Sequence, residues 1–184
     1  MKVMVSNRRA ALLLALAGLA LSGCGGQAML EPDQKESADR GLVSLFHTAD
    51  PQYAGQLVDG FYTPEAFGRW TKPKFSVVLA VPHTPPLEDP ALVVKMFIPD
   101  NEMAQLKSMS LSASVNGVAL GAEAFTTPGA QVYARSLPAS AISGDRLQVN
   151  FSLDKWMPGT KQDSRDLGIV VTVVGLKSGA SSGL

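Results

Sequence analysis

The residues able to do chemistry fall in two short stretches. The first, GFYTPEAFGRWT at 60–71, groups Tyr62, Glu65, Arg69 and Trp70. The second, LDKWMPGTKQDSRDLG at 153–168, holds Trp156, Asp163, Arg165 and Asp166. Aromatic faces beside a few fixed polar groups suit a sugar ring. Tyr62 and Trp70 would offer the platforms, with Glu65 and Arg69 bonding hydroxyls. Glu65, Asp163 and Asp166 are also the acids from which a glycosidase pair would be drawn, but nothing in their spacing sets two of them at the separation hydrolysis needs. There is no G-x-S-x-G elbow, no phosphate-binding glycine loop and no H-E-x-x-H helix. The chain is therefore read as non-catalytic and without a cofactor. Its 2 histidines, His47 and His83, have no Cys, His or acidic partner at ligand spacing, so they read as solvated loop residues, with no metal site.

The same side chains have a structural use. Trp70 would cap a core where a strand begins. Arg69 would pair with Asp163 or Asp166, and Glu65 with Arg165, each fixing register more than adding stability. Every one of the residues at 62–70 flanks a strand, which favours this use. Trp156 lies in the longest polar connection, 154–166, and is the better candidate for an exposed aromatic contact.

The elements that must hold these residues read as strands. MSLSASVNG at 109–117 alternates Leu111, Ala113 and Val115 with serines, and RLQVNFSL at 146–153 alternates Leu147, Val149, Phe151 and Leu153 with polar residues. That period marks one dry and one wet face. Residues 75–81, 91–98 and 168–176 are apolar on both faces and β-branched, as central strands are, and 131–137 adds another. The segment 60–71 reads as a loop entering the first of these. Asn116-Gly117, Pro128-Gly129, Ser143-Gly144-Asp145 and Pro158-Gly159 supply turns, Asn116-Gly117 being a hairpin turn and nothing more. Residues 100–109 read mainly as a connection, with at most a turn or two of helix capped by Asp100 or Asn101. Six or seven short strands so spaced predict an all-β fold, an antiparallel β-sandwich over 41–177 that is jelly-roll-like and carbohydrate-binding-module-like.

Composition narrows the setting. The 184 residues are 46% hydrophobic and 17% charged, enough for one domain with a core. The formal charge is zero, but Lys2, Arg8 and Arg9 precede Cys24 and no acid does; without them 13 basic residues of the 16 stand against 16 acidic. No basic patch offers itself to phosphates, which argues against nucleic acid as a partner.

The N-terminus, MKVMVSNRRAALLLALAGLALSGC, has a basic start and then an apolar run over 10–21, the pattern of a signal peptide and too short for a permanent span. Leu21-Ser22-Gly23-Cys24 resembles the lipobox of bacterial lipoproteins. That resemblance implies a signal peptide at 1–23, cleavage before Cys24 and acyl chains on its thiol. Cys24 is the only cysteine, which leaves none for a disulfide. Gly25 follows where an inner-membrane retention signal would place Asp, so the resemblance implies the outer membrane, facing the periplasm. Each buried CH₂ of the acyl chains adds about 0.8 kcal/mol, which makes such an anchor effectively permanent. Residues 25–40 are polar and read as a tether; fully extended they reach roughly 50 Å. The tail 178–184 reads as disordered.

A second resemblance runs through the rest of the chain. Gly60, Phe61, Tyr62, Pro64, Glu65, Arg69 and Trp70 open an ordered set. Val115, Asn116, Gly117, Leu120, Leu137 and Pro138 continue it, followed by Gly144, Asp145, Leu147 and Phe151. Asp163, Arg165, Leu167, Gly168 and Ile169 complete it. The set resembles the small β-sandwich domain at the extracytoplasmic ends of bacterial membrane glycosyltransferases, which also occurs in free-standing lipoproteins; Phe61 stands where a Trp is expected. The resemblance implies a jelly-roll-like fold and a place in surface polysaccharide handling, with polysaccharide or a glycosyltransferase or export complex as partner. It does not imply transferase activity, because the membrane catalytic part is not in this sequence. Two functions are carried forward: a glycan-binding module on a lipid tether, and an assembly lipoprotein that docks on a protein without touching sugar.

Overall fold

Alternation of apolar and polar residues decides the architecture. In β8 (Arg146–Leu153), Leu147, Val149, Phe151 and Leu153 are buried while Arg146, Gln148 and Asn150 are exposed. In β5 (Met109–Val115), Met109, Leu111, Ala113 and Val115 are buried. The two strands pair antiparallel with Leu111 opposite Leu153, Ala113 opposite Phe151 and Val115 opposite Val149, so the dry faces coincide. A slip of one residue would turn both faces over, and burial of this row holds the register.

The computed structural model describes residues 41–83 and 86–179; Cys24, the tether and the tail from 180 onward lie outside them. The remaining strands are β1 (Leu45–His47), β2 (Leu57–Glu65), β3 (Gly68–Ala80), β4 (Pro90–Ile98), β6 (Val118–Phe125), β7 (Gly129–Ser136) and β9 (Val170–Ser178). One 9-stranded antiparallel sheet results, in the order β6-β5-β8-β3-β9-β4-β7, with β1 added to β9 and β2 to β3. The fold is the expected antiparallel β-sandwich.

β3 is the strand that joins its two leaves. Residues Lys74–Ala80 pair with β8, whereas Arg69 and Trp70 pair with Val170 and Val171 of β9. Hydrogen bonds Thr71 N→Ile169 O (2.9 Å) and Gly168 N→Thr71 O (2.7 Å) mark the crossing. One leaf is therefore β6-β5-β8-β3 and the other β9-β4-β7 with the start of β3. Both leaves feed one core: Phe75, Val149 and Leu111 from the first, Val94, Val171 and Leu176 from the second. Phe75 and Phe151, directly opposite, stack at 4.7 Å and 16°.

The ends of the sheet order, β6 and β7, nearly meet. Tyr133 Oη donates to Gly121 O (2.9 Å), Arg135 Nε to Gly121 O (3.0 Å) and Arg135 Nη2 to Ala122 O (2.6 Å), with Arg135 also paired to Glu123. Two side chains thus occupy carbonyls that a neighbouring strand would otherwise take.

Several sequence expectations need correction. Residues 57–65 form β2, so the run carrying Tyr62 and Glu65 is a strand and not a loop; it returns through Ala66-Phe67 into β3, with Glu65 opposite Gly68. Its alternation is hidden because β2 shifts register three times along β3. Gly60 sits at one shift with φ +78°, and a Cβ there would lie 2.2 Å from Lys74 O, a conformation and a clearance that only glycine meets. β1 and β6 also escaped the reading, the first for its brevity and the second because Gly121 interrupts its pattern. Asp100–Leu106 is a helix, α1, whose cap is Pro99 and not Asp100 or Asn101; proline has no N–H to leave unsatisfied, and its φ of −64° suits the entry. Asn116 and Gly117 make the hairpin turn, at φ +47° and +85°. Asn116 does more than turn: its Nδ2 donates to Ala141 O (3.0 Å) and Ser143 Oγ (3.2 Å), and its Oδ1 accepts from Gln148 N (3.0 Å). It ties the hairpin to the β7–β8 connection. His47 lies in β1 instead of a loop, and exposed His83 meets exposed Asp145 at 3.0 Å.

Candidate functional site

β2, β3 and the β8–β9 connection bring most of the candidate residues to one end of the sandwich. The connection is held by its own hydrogen bonds. Met157 and Leu167 exchange both main-chain bonds (2.8 and 2.9 Å), Thr160 N donates to Asp163 O (2.6 Å), and Asp166 Oδ1 accepts from Gly159 N (3.0 Å). Gly159 lies so close to the returning chain that a Cβ would stand 2.6 Å from Ser164 O.

Arg165 is the hub. Its Nη2 reaches Asp163 Oδ2 at 2.8 Å and its Nε reaches Asp163 Oδ1 at 3.0 Å, a forked pair, while Nη1 reaches Glu65 Oε1 at 3.3 Å. The guanidinium carbon stands 5.4 Å from the centre of the Tyr62 ring. Glu65 Oε2 accepts from Trp70 Nε1 (3.2 Å), and Tyr62 Oη donates to the main-chain oxygen of Asp166 (3.0 Å). Glu65 and Arg165 thus meet as the sequence suggested. Arg69 does not pair with Asp163 or Asp166: its Nε donates to Thr48 O (2.7 Å) and its Nη1 to Tyr62 O (3.2 Å). The reason lies in the sheet. Arg69 pairs across to Val171, whose carbonyl also takes the hydroxyl of Thr48, and this directs the guanidinium to the β1 side, away from the 163–166 turn.

The electrostatics follow from these contacts. The hydrogen bonds from Arg165 hold the Asp163 carboxyl down to about 2, and the same pairing raises Arg165 above its ordinary value. An acid so strongly held in its ionised form, with both oxygens taken, is a poor proton donor. Burial lowers the Arg69 guanidinium from its usual range.

Behind this frame is a cavity of about 180 Å³. Trp70, Met157, Pro158 and Leu167 give it apolar walls, Asp163 and Arg165 reach it from the network, and α1 closes it with Glu102. Glu102 is 2% exposed, and neither carboxyl oxygen has a hydrogen-bond partner among the described residues. Desolvation pushes its carboxyl up to about 8. Sequence reasoning missed this residue. DNEMAQL offers no signal for it, because an acid in the first turn of a helix normally faces water and favours the helix dipole. Trp156 is 38% exposed and makes no ring contact or indole hydrogen bond among the described residues. Among those residues no group of His, Cys, Asp and Glu is arranged to hold a metal ion.

No family model matches the chain, and no curated protein matches it. Solved structures with a similar course of chain include an acetyl xylan esterase, Est2A, from the rumen bacterium Butyrivibrio proteoclasticus, at 8% identity and a TM-score of 0.43. Dimeric latent PorU from Porphyromonas gingivalis is another, at 11% identity and a TM-score of 0.38. The similarity covers 73% of this chain and 32% of the esterase, and 74% of this chain and 13% of PorU, so the chain spans a minor part of either.

Proposed function

We propose that this chain is a lipid-anchored cell-envelope protein whose β-sandwich is a non-catalytic glycan-binding or accessory module in surface polysaccharide handling. Cys24 carries the acyl chains, and the outer membrane, on its periplasmic side, is the location. The supporting observation is one end of the sandwich. There Glu65, Arg165 and Asp163 form a bonded frame that holds Trp70 beside a cavity, and the same connection carries the partly exposed Trp156. Frames of fixed polar groups with aromatic platforms bind sugars by contact, with no bond made or broken.

The test is affinity electrophoresis of the full chain in gels cast with bacterial surface polysaccharides. Retardation is expected, and Trp156→Ala is expected to relieve most of it while leaving the melting curve in place. No retardation with any polysaccharide would sink the glycan reading. Anchoring is tested separately: Cys24→Ser should move the protein from the membrane to the soluble envelope fraction, and unchanged fractionation would overturn it.

A second reading, docking on a protein partner, has its own support. Phe67, at the β2–β3 turn, is 57% exposed and meets Phe97 edge-on at 5.9 Å, and Val58 is 54% exposed. If Phe67→Ser abolishes co-purification of an envelope protein while polysaccharide has no effect, this reading replaces the first.

A further inference from the structure

We propose that the open groove on the wet face of the β6-β5-β8-β3 leaf is a second binding site, for a neutral, polyhydroxylated glycan segment lying across the strands. This rests on the glycan-binding reading and goes further, because the groove shares no lining residue with the cavity beside Trp70. It also assigns the ligand's charge and its direction on the sheet.

Strand register builds the site. Asp59 of β2 stands opposite Ser76 of β3, Ser76 opposite Asn150 of β8, Asn150 opposite Ser114 of β5, and Ser114 opposite Ala119 of β6. One row therefore crosses five strands, roughly 19 Å at the usual interstrand spacing. A second row, Lys74, Ser152 and Ser112, lies two residues along the same strands. The residues that alternate with these, Phe75, Phe151 and Ala113 among them, are in the core, so both rows face outward. The flanking strands are irregular here: register shifts fall between Leu57 and Asp59 of β2, and in β6 opposite Leu111 to Ala113. Bulges bend the strand that carries them, and small side chains between two bent strands leave a groove of about 430 Å³.

Ser76 is the observation that points to a ligand. It lines the groove and is 8% exposed, and its hydroxyl has no hydrogen-bond partner among the described residues. That hydroxyl is not sealed from solvent as the Glu102 carboxyl is, so an atom in the groove can reach it. An almost buried hydroxyl left unsatisfied is costly, and a ligand hydroxyl removes the cost. The groups around it are also neutral. The hydroxyls of Ser114 and Ser152 and the Nδ2 of Asn150 make no hydrogen bond among the described residues, while Ser112 Oγ donates to Ser152 O (3.1 Å) and can still accept. Hydroxyls and amides both donate and accept, as sugar hydroxyls do.

Charge and shape select the occupant. Asp59 and Lys74 are the charged residues lining the groove, one of each sign and both on its β2–β3 side. A phosphate-bearing polymer would need several cations. A peptide adding a strand needs a free sheet edge, which a face does not offer. An apolar ligand would leave the polar rows unpaired. The Phe75 and Phe151 rings are buried, so the groove has no aromatic platform. Affinity then rests on several hydrogen bonds made at once and grows with the length of the glycan.

The experiment is titration of the isotope-labelled full chain, in detergent micelles, with cellohexaose, maltohexaose, xylohexaose and mannohexaose, followed by amide NMR shifts. At least one hexasaccharide is expected to shift the amides of 74–76, 112–114 and 150–152 saturably, and glucose at the same concentration of sugar units is not. Ser76→Ala and Asn150→Ala should each weaken binding about two- to tenfold, the worth of one hydrogen bond. Ser114→Trp, whose indole fills the groove, should abolish it. The two alanine variants should melt like the parent, so their loss of affinity cannot be assigned to unfolding, and they carry the test if Ser114→Trp folds poorly. Unaltered affinity in both overturns the site. Shifts confined to 62–70 and 156–167 also overturn it and leave the glycan reading standing. Tighter binding of oligogalacturonate or of chitosan oligomers overturns the neutral ligand. If no hexasaccharide shifts the groove, the groove falls; the glycan reading falls with it only if polysaccharide also fails to retard the parent.

Discussion

Two acids at one end of the sandwich are driven in opposite directions by their surroundings. Asp163, half-buried and forked onto Arg165, is held down to about 2, and Glu102, buried and without a hydrogen-bond partner among the described residues, is pushed up to about 8. The consequences for stability have opposite signs. The folded state holds the Glu102 proton more tightly than the unfolded chain, whose midpoint is 4.5, so stability from this group falls as pH rises from about 4.5 to about 8. Glu102→Leu should flatten that slope and raise stability at neutral pH by about 1–3 kcal/mol, the cost of an unsatisfied buried polar group. Urea unfolding across that range measures it, and an unchanged slope in the variant would show the carboxyl to be hydrated. For Asp163 the folded midpoint is depressed, so its contribution is full above the unfolded value of 3.8 and is lost as pH falls towards about 2. Asp163→Asn should erase that acid limb, read as a melting temperature that drops less steeply in acid. An identical acid limb in parent and variant would mean that Arg165 does not hold Asp163 in solution.

At the scale of elements, β6 and β7 end the sheet order and are joined by side chains instead of a strand ladder. Arg135 covers two carbonyls of β6 and pairs with Glu123, while its guanidinium lies 5.0 Å from the Tyr133 ring centre. Arg135→Ala would remove the Arg135 hydrogen bonds at Gly121 O and Ala122 O and leave the Tyr133 hydroxyl on the first. The expected loss is about 1–3 kcal/mol in denaturant unfolding, together with faster amide exchange in β6 and β7. No change at either strand would mean that the seam is held by backbone packing instead. β2 depends in the same way on Gly60. Gly60→Ala forces a Cβ against Lys74 O at positive φ, and the loss should exceed the roughly 1 kcal/mol of an ordinary Gly→Ala strain. Because β2 carries Tyr62 and Glu65, that variant should also disorder the frame around Arg165. Loss of the Trp70 indole N–H shift seen in the parent by NMR would report it.

The sandwich should unfold as one unit, since β3 contributes to both leaves and their side chains share one core. Far-ultraviolet circular dichroism and the fluorescence of Trp70 and Trp156 should report a single midpoint. Phe75→Ala, which removes a ring stacked on Phe151 and edge-on to Phe61, should shift both probes together by about 3–5 kcal/mol. Separate midpoints would show that the leaves fold independently.

What was legible from the residues alone follows from locality. β5 and β8 are regular antiparallel neighbours with one wet face, so alternation announces them, and β8 is bounded by structure where its pattern is bounded. The apolar runs of β4 and β9 are legible too, since central strands are dry on both sides. The Glu65–Arg165 pair could be anticipated because each residue abuts such a strand. β2 was not legible, because bulges break its period, and neither was the destination of Arg69, which the pairing of β3 with β9 and the position of β1 determine. The environment of Glu102 is the clearest case. Its sequence neighbours describe a solvated helix start, and only tertiary packing around α1 removes its water. Periodicity records which face of a strand is dry. Which polar groups end up buried together is decided by contacts between residues far apart in the chain, and these exist only once the leaves have closed.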